Sequence, residues 1–419
     1  MHLVLKVIST PTAHSSAIYY FGNFILSFSR YLFHLILLRL LIPAEYGEFL
    51  SYLSLTYLLG IPTATIGTVV TKFVSDYKGR GDSTSINQFF YYLLKFISPI
   101  VFIIGSLLIL FSGSLAFVFK AHSMAFVILG ISVFISLFQT IITSYIIAFQ
   151  KFIFQTIVGF GGVVITILLS VVFIKLGMGA TGAVLGQILA GVVTSIILFL
   201  SIRKSVLPRI SGKKIKFNLR GFTGYSFIFA LGTASLISTD VLMVRAFFDS
   251  HTSGLYSALS ILGRMILYGL TPLCALVLPI AAHRHAQNTT TRPVFLKLGS
   301  VILLFGTIGA GVFSLFPSQI IGLLSGSAYL EAAPLLSYFA FTMVFFAFSQ
   351  FILSYLMATN RPQANILLLI TTILQPITFY SFRFSFSDTV HANFFLHLIL
   401  FLSLFIYIFT RRLPSSKHI

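Results

Sequence analysis

Charge interrupts this chain too rarely for it to fold in water. Only 8% of its 419 residues are charged, against about 25% in ordinary soluble domains. Another 57% are hydrophobic, runs such as Val163–Ile174 hold no charge at all, and the mean hydropathy is +1.01. No soluble core could keep that much apolar surface out of water, so a soluble globule is excluded. A transmembrane β-barrel is excluded as well, because barrel strands alternate apolar and polar residues over short segments. A bundle of membrane-spanning helices remains. Each span needs about 20 mostly apolar residues, and the apolar inventory matches about twelve spans.

Reading apolar runs between charged or turn-rich breaks places twelve spans. They fall at 17–41, 49–71, 89–111, 123–149, 155–175, 181–202, 222–248, 254–282, 295–316, 333–358, 364–382 and 391–410. Pro62, Pro99, Pro272, Pro279 and Pro376 lie inside spans, where prolines kink helices and are tolerated if neighbours satisfy the freed carbonyls. The single cysteine, Cys274, leaves no disulfide within the chain and no cysteine-based metal site. Met1–Ser16 lacks the sustained apolar core of a cleavable signal peptide.

Lys+Arg outnumber Asp+Glu by 27 to 8. In a soluble protein that excess would point to nucleic acid. In a membrane protein it reports topology, since Lys and Arg collect in cytoplasmic loops. With the N-terminus inside, nineteen of them fall in cytoplasmic segments and three (Lys120, Lys175 and Arg383) outside. Both termini are therefore expected in the cytoplasm, with an even number of spans. The longest hydrophilic stretch, Arg203–Arg220, has seven basic residues and no acidic one. It reads as a linker held at the anionic inner leaflet.

The chain also repeats itself. Ser144-Tyr-Ile-Ile-Ala-Phe-Gln-Lys151 matches Ser354-Tyr-Leu-Met-Ala-Thr-Asn-Arg361 at an offset of 210, about half the chain. Arg39, Gly47 and Pro62 correspond to Arg245, Gly254 and Pro272 at nearly the same offset. The expected organisation is all-α: a polytopic membrane protein whose twelve helices form two six-helix lobes related by a pseudo-twofold. The N-terminal lobe takes residues 1–202, a basic cytoplasmic linker 203–220, and the C-terminal lobe 221–419. Six spans per half make the repeat parallel, the plan of transporters that carry substrate between halves.

A charge deep in hydrocarbon is costly and marks a functional interior by default. Arg30 lies near the middle of the first span. Asp240 and Arg264 lie at similar depth on adjacent antiparallel spans, and pairing would lower the cost of both charges. Read structurally, they form a salt bridge; read functionally, they line a cavity of net positive charge. His34 lies one turn from Arg30 on the same face. Arg39 and Arg245 lie near the outer interface, where long side chains snorkel, as does Lys95 at the inner one. Gly177, Gly179, Gly182, Gly186 and Gly191 have the small-residue spacing of close helix packing. His283 and His285 flank Arg284 in a loop and do not read as metal ligands. No nucleophile–base motif, phosphate loop or carboxylate pair stands out, so neither an enzyme nor a cofactor or metal is expected.

The stretch Leu38-Arg-Leu-Leu-Ile-Pro-Ala-Glu-Tyr-Gly-Glu-Phe49, Pro62, Thr71-Lys-Phe73, Asp240-Val-Leu-Met-Val-Arg-Ala-Phe-Phe and Gly254-Leu-Tyr-Ser-Ala258 follow in order. Together with Ala148-Phe-Gln-Lys151 and the glycine-rich turn near Gly177–Gly182, they resemble the repeat-unit flippases of bacterial surface polysaccharides. These are the O-antigen or capsule translocases of the multidrug/oligosaccharidyl-lipid/polysaccharide (MOP) exporter superfamily. The resemblance implies a V-shaped bundle of two lobes around a cationic cavity, in the bacterial cytoplasmic membrane. It implies flipping of undecaprenyl-diphosphate-linked oligosaccharide units from the inner to the outer leaflet, for O-antigen, lipopolysaccharide, capsule or exopolysaccharide synthesis. Arg30, Arg264 and Arg245 are the candidate substrate-binding cations, with Asp240 and His34 beside them. The implied partners are the lipid-linked oligosaccharide and membrane lipids, with a polysaccharide polymerase and a chain-length regulator as further candidates and no nucleic acid.

Rival readings make distinct demands. A major-facilitator transporter carries Gly-x-x-x-Asp-x-x-Gly-Arg after its second span; Asp76-Tyr-Lys-Gly-Arg80 fits the end, but position 72 is Lys. A drug exporter of the same superfamily is expected to have an acidic cation site, and the first span has no Asp or Glu. Lipid II flippases usually have fourteen spans. A polymerase of the same pathway normally needs a large external loop, whereas the longest loop here is cytoplasmic.

Overall fold

The computed structural model describes residues 11–207, 224–287 and 289–410, and every regular element among them is helical. Residues 1–10, most of the linker 203–220 and the C-terminal basic residues lie outside the described residues, as does most of the stretch judged for a signal peptide. In chain order the helices are α1 (Pro11–Leu40), α2 (Pro43–Leu59), α3 (Ile61–Gly79), α4 (Ser83–Leu110), α5 (Ser112–Val118), α6 (Ser123–Ala148), α7 (Phe152–Phe173) and α8 (Gly179–Val206). They continue as α9 (Gly224–Leu236), α10 (Thr239–Phe247), α11 (Ser250–Ala286), α12 (Arg292–Leu315), α13 (Pro317–Leu324), α14 (Leu336–Ala358), α15 (Asn365–Ser381) and α16 (Phe386–Thr410).

Nine helical stretches among the described residues are long and apolar enough to cross a membrane. One, Phe152–Val206, has 55 residues, roughly 80 Å of helix at 1.5 Å per residue, far more than one bilayer core. It folds back on itself: Gly177 has φ +84°, a value open to glycine at no steric cost. Helices α7 and α8 then pack so closely that a Cβ on Gly186 would lie 2.6 Å from the Ser170 backbone nitrogen. Two expected spans are broken. The second divides at Gly60 into α2 and α3, because Pro62 lacks an N–H and so starts a helix there. The seventh divides at Ile237–Ser238 into α9 and α10. The surface of α4 is greasy along one side, with Phe96, Ile100, Ile103, Leu107 and Leu110 all exposed, the pattern of a helix that faces lipid.

The helices form two compact units. The first takes residues 1–36 and 59–223, the second 37–58 and 224–419. Leu37–Leu58 thus packs with the second unit, whereas the sequence reading put it in the first lobe. Close backbone contact is the physical reason. A Cβ on Gly254 would lie 1.9 Å from the Pro43 carbonyl oxygen, and one on Gly47 would lie 2.8 Å from the Gly254 nitrogen. The two repeat-equivalent glycines therefore meet each other. Tyr329 donates to the Leu41 carbonyl at 3.1 Å, and Arg39 donates to the carbonyls of Gly322 and Leu323, closing the end of α13.

The repeat is visible in the architecture of each unit. In the first, α6 packs on α3, α4 and α8; in the second, α14 packs on α11, α12 and α16. Both central helices end alike, in a left-handed residue: Gln150 with φ 58° and Asn360 with φ 57°. Lys151 N bonds to Ile146 O and Gln150 N to Ile147 O. At the equivalent positions Arg361 N bonds to Leu356 O and Asn360 N to Met357 O. This is the same double hydrogen-bonded helix cap. The paired tyrosines match too: Tyr145 donates to the Ile86 carbonyl at 2.9 Å, near the start of α4, and the Tyr355 hydroxyl meets Thr291 at 2.7 Å, where α12 begins.

Candidate functional site

The second unit has a polar interior, built where α9 gives way to α10. Helix α9 ends at Leu236 and α10 starts at Thr239, so carbonyls at the break lack helical partners. Gln375, from α15, donates to the Leu236 carbonyl at 3.0 Å, and Arg264, from α11, donates to the Ile237 carbonyl. Asp240 sits in the first turn of α10, where the helix dipole favours an anion. Its carboxylate lies 3.8 Å from the Arg264 guanidinium, an ion pair with both side chains 1% exposed. The sequence places these two charges at matching depth, and the structure brings them together.

Tyr256 of α11 donates to Asp240 at 3.1 Å, and Asn393 of α16 donates to the Tyr256 hydroxyl at 3.3 Å. One turn further along α16, the His397 Nδ1 lies 2.9 Å from the Asn393 carbonyl oxygen. Several buried polar atoms in this interior have no hydrogen-bond partner among the described residues: Asp240 Oδ1, Arg264 Nε and Nη1, Asn393 Oδ1 and His397 Nε2. Composition and spacing gave no notice of Tyr256, Gln375, Asn393 or His397. They are neutral polar residues in apolar runs, and their significance appears only when four helices converge.

Arg245 is placed differently from the expectation. It is 2% exposed and does not snorkel. Its guanidinium donates to the Ala44 carbonyl at 3.3 Å, and it lies within the field of Glu48, Tyr52 and Asp249. Glu48 is itself 6% exposed and accepts a hydrogen bond from Tyr52. The sequence reading missed Glu48 because α2 begins at Pro43, earlier than its apolar run. Arg245 and Glu48 thus form a second buried charged cluster, which fastens α2 to the rest of the second unit.

Arg30 and His34 belong to the first unit. Arg30 is exposed, whereas His34 is buried, so the two do not share one environment despite their spacing. Arg39 and Lys95 are exposed, as expected for long side chains near an interface. Of the helix-packing glycines, Gly182 and Gly186 are tightly overlaid, whereas Gly191 has only the Gln139 side chain near it, at 3.9 Å. Among the described residues no group of three His, Cys, Asp or Glu side chains is placed to hold a metal.

The fold has counterparts among known proteins. A family profile described as "Polysaccharide biosynthesis protein" matches residues 36–334. No protein of curated function matches the sequence significantly. An inward-facing multidrug resistance MATE family transporter of the MOP superfamily superposes with a TM-score of 0.73 at 14% identity, covering 92% of this chain and 94% of that one. The lipid II flippase MurJ, in an inward closed conformation, gives 0.69 at 14% identity, covering 95% and 88%. A MOP superfamily transporter from Pyrococcus furiosus, described as having a binding pocket of reverse polarity, gives 0.60 at 14%, covering 94% and 95%.

Proposed function

This chain belongs to the polysaccharide biosynthesis protein family, has the fold of MOP-superfamily transporters, and on that premise we propose that it is a flippase for lipid-linked oligosaccharides. The substrate in this reading is an oligosaccharide repeat unit on undecaprenyl diphosphate, moved from the cytoplasmic to the outer leaflet for O-antigen, capsule or exopolysaccharide synthesis. The observation that carries the proposal is the conjunction of a polysaccharide family with a fold whose solved examples are transporters.

Two further features support it. Lys and Arg outnumber Asp and Glu by 27 to 8, which suits a diphosphate cargo and an inner membrane with both termini cytoplasmic. Arg30 is an exposed guanidinium within α1, and its planar fork matches phosphate oxygens. In this proposal Arg30 meets the diphosphate, and His34, buried one turn away on α1, backs that stretch of helix from the interior. Asp240, Arg264 and Arg245 lie buried in the second unit and serve there by holding its helices rather than by meeting the cargo.

A drug exporter of the same superfamily is the second reading, favoured by the superposition on a multidrug transporter. A polysaccharide polymerase also fits the family's description. The location of single glycan units in cells lacking the protein separates the three. Retention on the inner face is expected. Single units on the outer face would indicate a polymerase, and unchanged glycan would leave the drug exporter. Arg30→Ala should reproduce the deletion while still inserting, and Arg30→Lys should keep part of the activity; normal export by Arg30→Ala would remove Arg30 from the site.

A further inference from the structure

The break between α9 and α10 is held by charges of opposite sign on its two sides. Arg264 closes the carbonyl end of α9 and Asp240 occupies the start of α10. Each suits its own helix terminus, and each lies within the field of the other at 3.8 Å. Tyr256, which donates to Asp240, Asn393, which donates to Tyr256, and Gln375, which donates to the break, are all neutral. Among the described residues the charged group paired with Asp240 is Arg264. Asp240 Oδ1 and two Arg264 nitrogens find no hydrogen-bond partner among the described residues. At 3.8 Å the pair is beyond hydrogen-bond length, so charge balance rather than a tight bond is what it provides. Hydrophobic replacements of a buried pair are often as stable, whereas removal of one partner leaves a stranded charge.

We propose that Arg264 is a positioning residue: a built-in cation that secures the α9–α10 break and neutralises Asp240, so that this interior works without taking up a mobile cation. Arg264 then never touches the cargo. Only the transport arm of the test rests on the flippase reading.

The test begins with the purified full-length protein and its unfolding temperature. The wild type should unfold at the same temperature when sodium is replaced by choline at constant ionic strength. Arg264→Ala should unfold several degrees lower and recover at least half of that loss in millimolar methylguanidinium, which leaves the wild type unmoved. Asp240→Asn/Arg264→Gln should unfold close to the wild type, and should export glycan within about threefold of it, because no charge is left alone. If Arg264→Ala does not accumulate, recovery of accumulation by the double variant makes the same point. Selective stabilisation of the wild type by sodium would overturn the proposal. So would an Arg264→Ala protein indifferent to methylguanidinium, or a double variant that is stable yet inactive. If the wild type moves no glycan, the flippase reading fails while the unfolding measurements still decide this one.

Discussion

The two halves of this chain are built alike at their helix ends and unlike in their interiors. The central helices α6 and α14 stop with the same double cap, at Gln150 and Asn360, and each carries a buried tyrosine tied to the start of an earlier helix. Inside, the likeness ends. The offset that aligns Arg39 with Arg245 aligns His34 with Asp240. One is a buried imidazole in α1; the other is a carboxylate paired with Arg264 at a helix break. The contrast teaches that the joints of the repeat carry the fold, while its interiors are free to diverge. The specialised chemistry should therefore be sought in the second unit's interior and at Arg30 rather than at the shared caps.

Several changes would break or sharpen that contrast. The largest effect is expected where the equivalent glycines meet. A Cβ on Gly254 would lie 1.9 Å from a backbone carbonyl oxygen, and backbone cannot rotate away as a side chain can. Gly254→Ala should cost more than about 4 kcal/mol and abolish accumulation in the membrane; near-normal levels would show that the contact yields easily. Arg245→Ala comes next. It strands Glu48 in a buried site and should cost about 3–5 kcal/mol, with Glu48→Gln in the same protein restoring much of the loss, as read by membrane levels and unfolding temperature.

The paired tyrosines should respond more mildly and equally. Tyr145→Phe and Tyr355→Phe each remove one buried hydrogen bond, worth about 1 kcal/mol. Equal losses of unfolding temperature would support equivalent roles, and a large asymmetry would separate the halves. The smallest effect is expected at Asp249, which caps α11. The Thr252 hydroxyl, then the Thr252 and His251 backbone N–H groups, hold its carboxyl below the usual range. Its folded pKa thus lies below the unfolded one. Its contribution is present above the unfolded value near 4 and disappears as pH falls through the folded value. Asp249→Asn keeps a capping oxygen but removes the negative charge at the helix N-terminus, and should cost about 0.3–1 kcal/mol at neutral pH, with the difference from wild type narrowing under acid conditions.

Much of this was legible in the sequence, for physical reasons. Helical spans follow from apolar runs because hydrocarbon tolerates no unpaired backbone. Asp240 and Arg264 stood out because charge is rare there, and their equal depth followed from helical rise. The paired helix ends were readable from the match of Ser144–Lys151 to Ser354–Arg361. The break at Ile237–Ser238 was hidden, since nothing in an apolar run marks where its hydrogen bonds are handed to Gln375 and Arg264. The placement of Leu37–Leu58 was hidden too. It depends on Gly254 meeting Pro43, a tertiary contact between residues 211 apart.

The flippase reading is tested most directly by transport in a defined membrane. The purified protein would be placed in vesicles with a lipid-linked oligosaccharide on one leaflet, and a sugar-modifying enzyme that cannot cross would be added on the other side. The account predicts that the glycan becomes accessible to that enzyme with the wild type and stays protected with Arg30→Ala. Continued protection with correctly folded wild type, across a range of lipid-linked oligosaccharides, would contradict it.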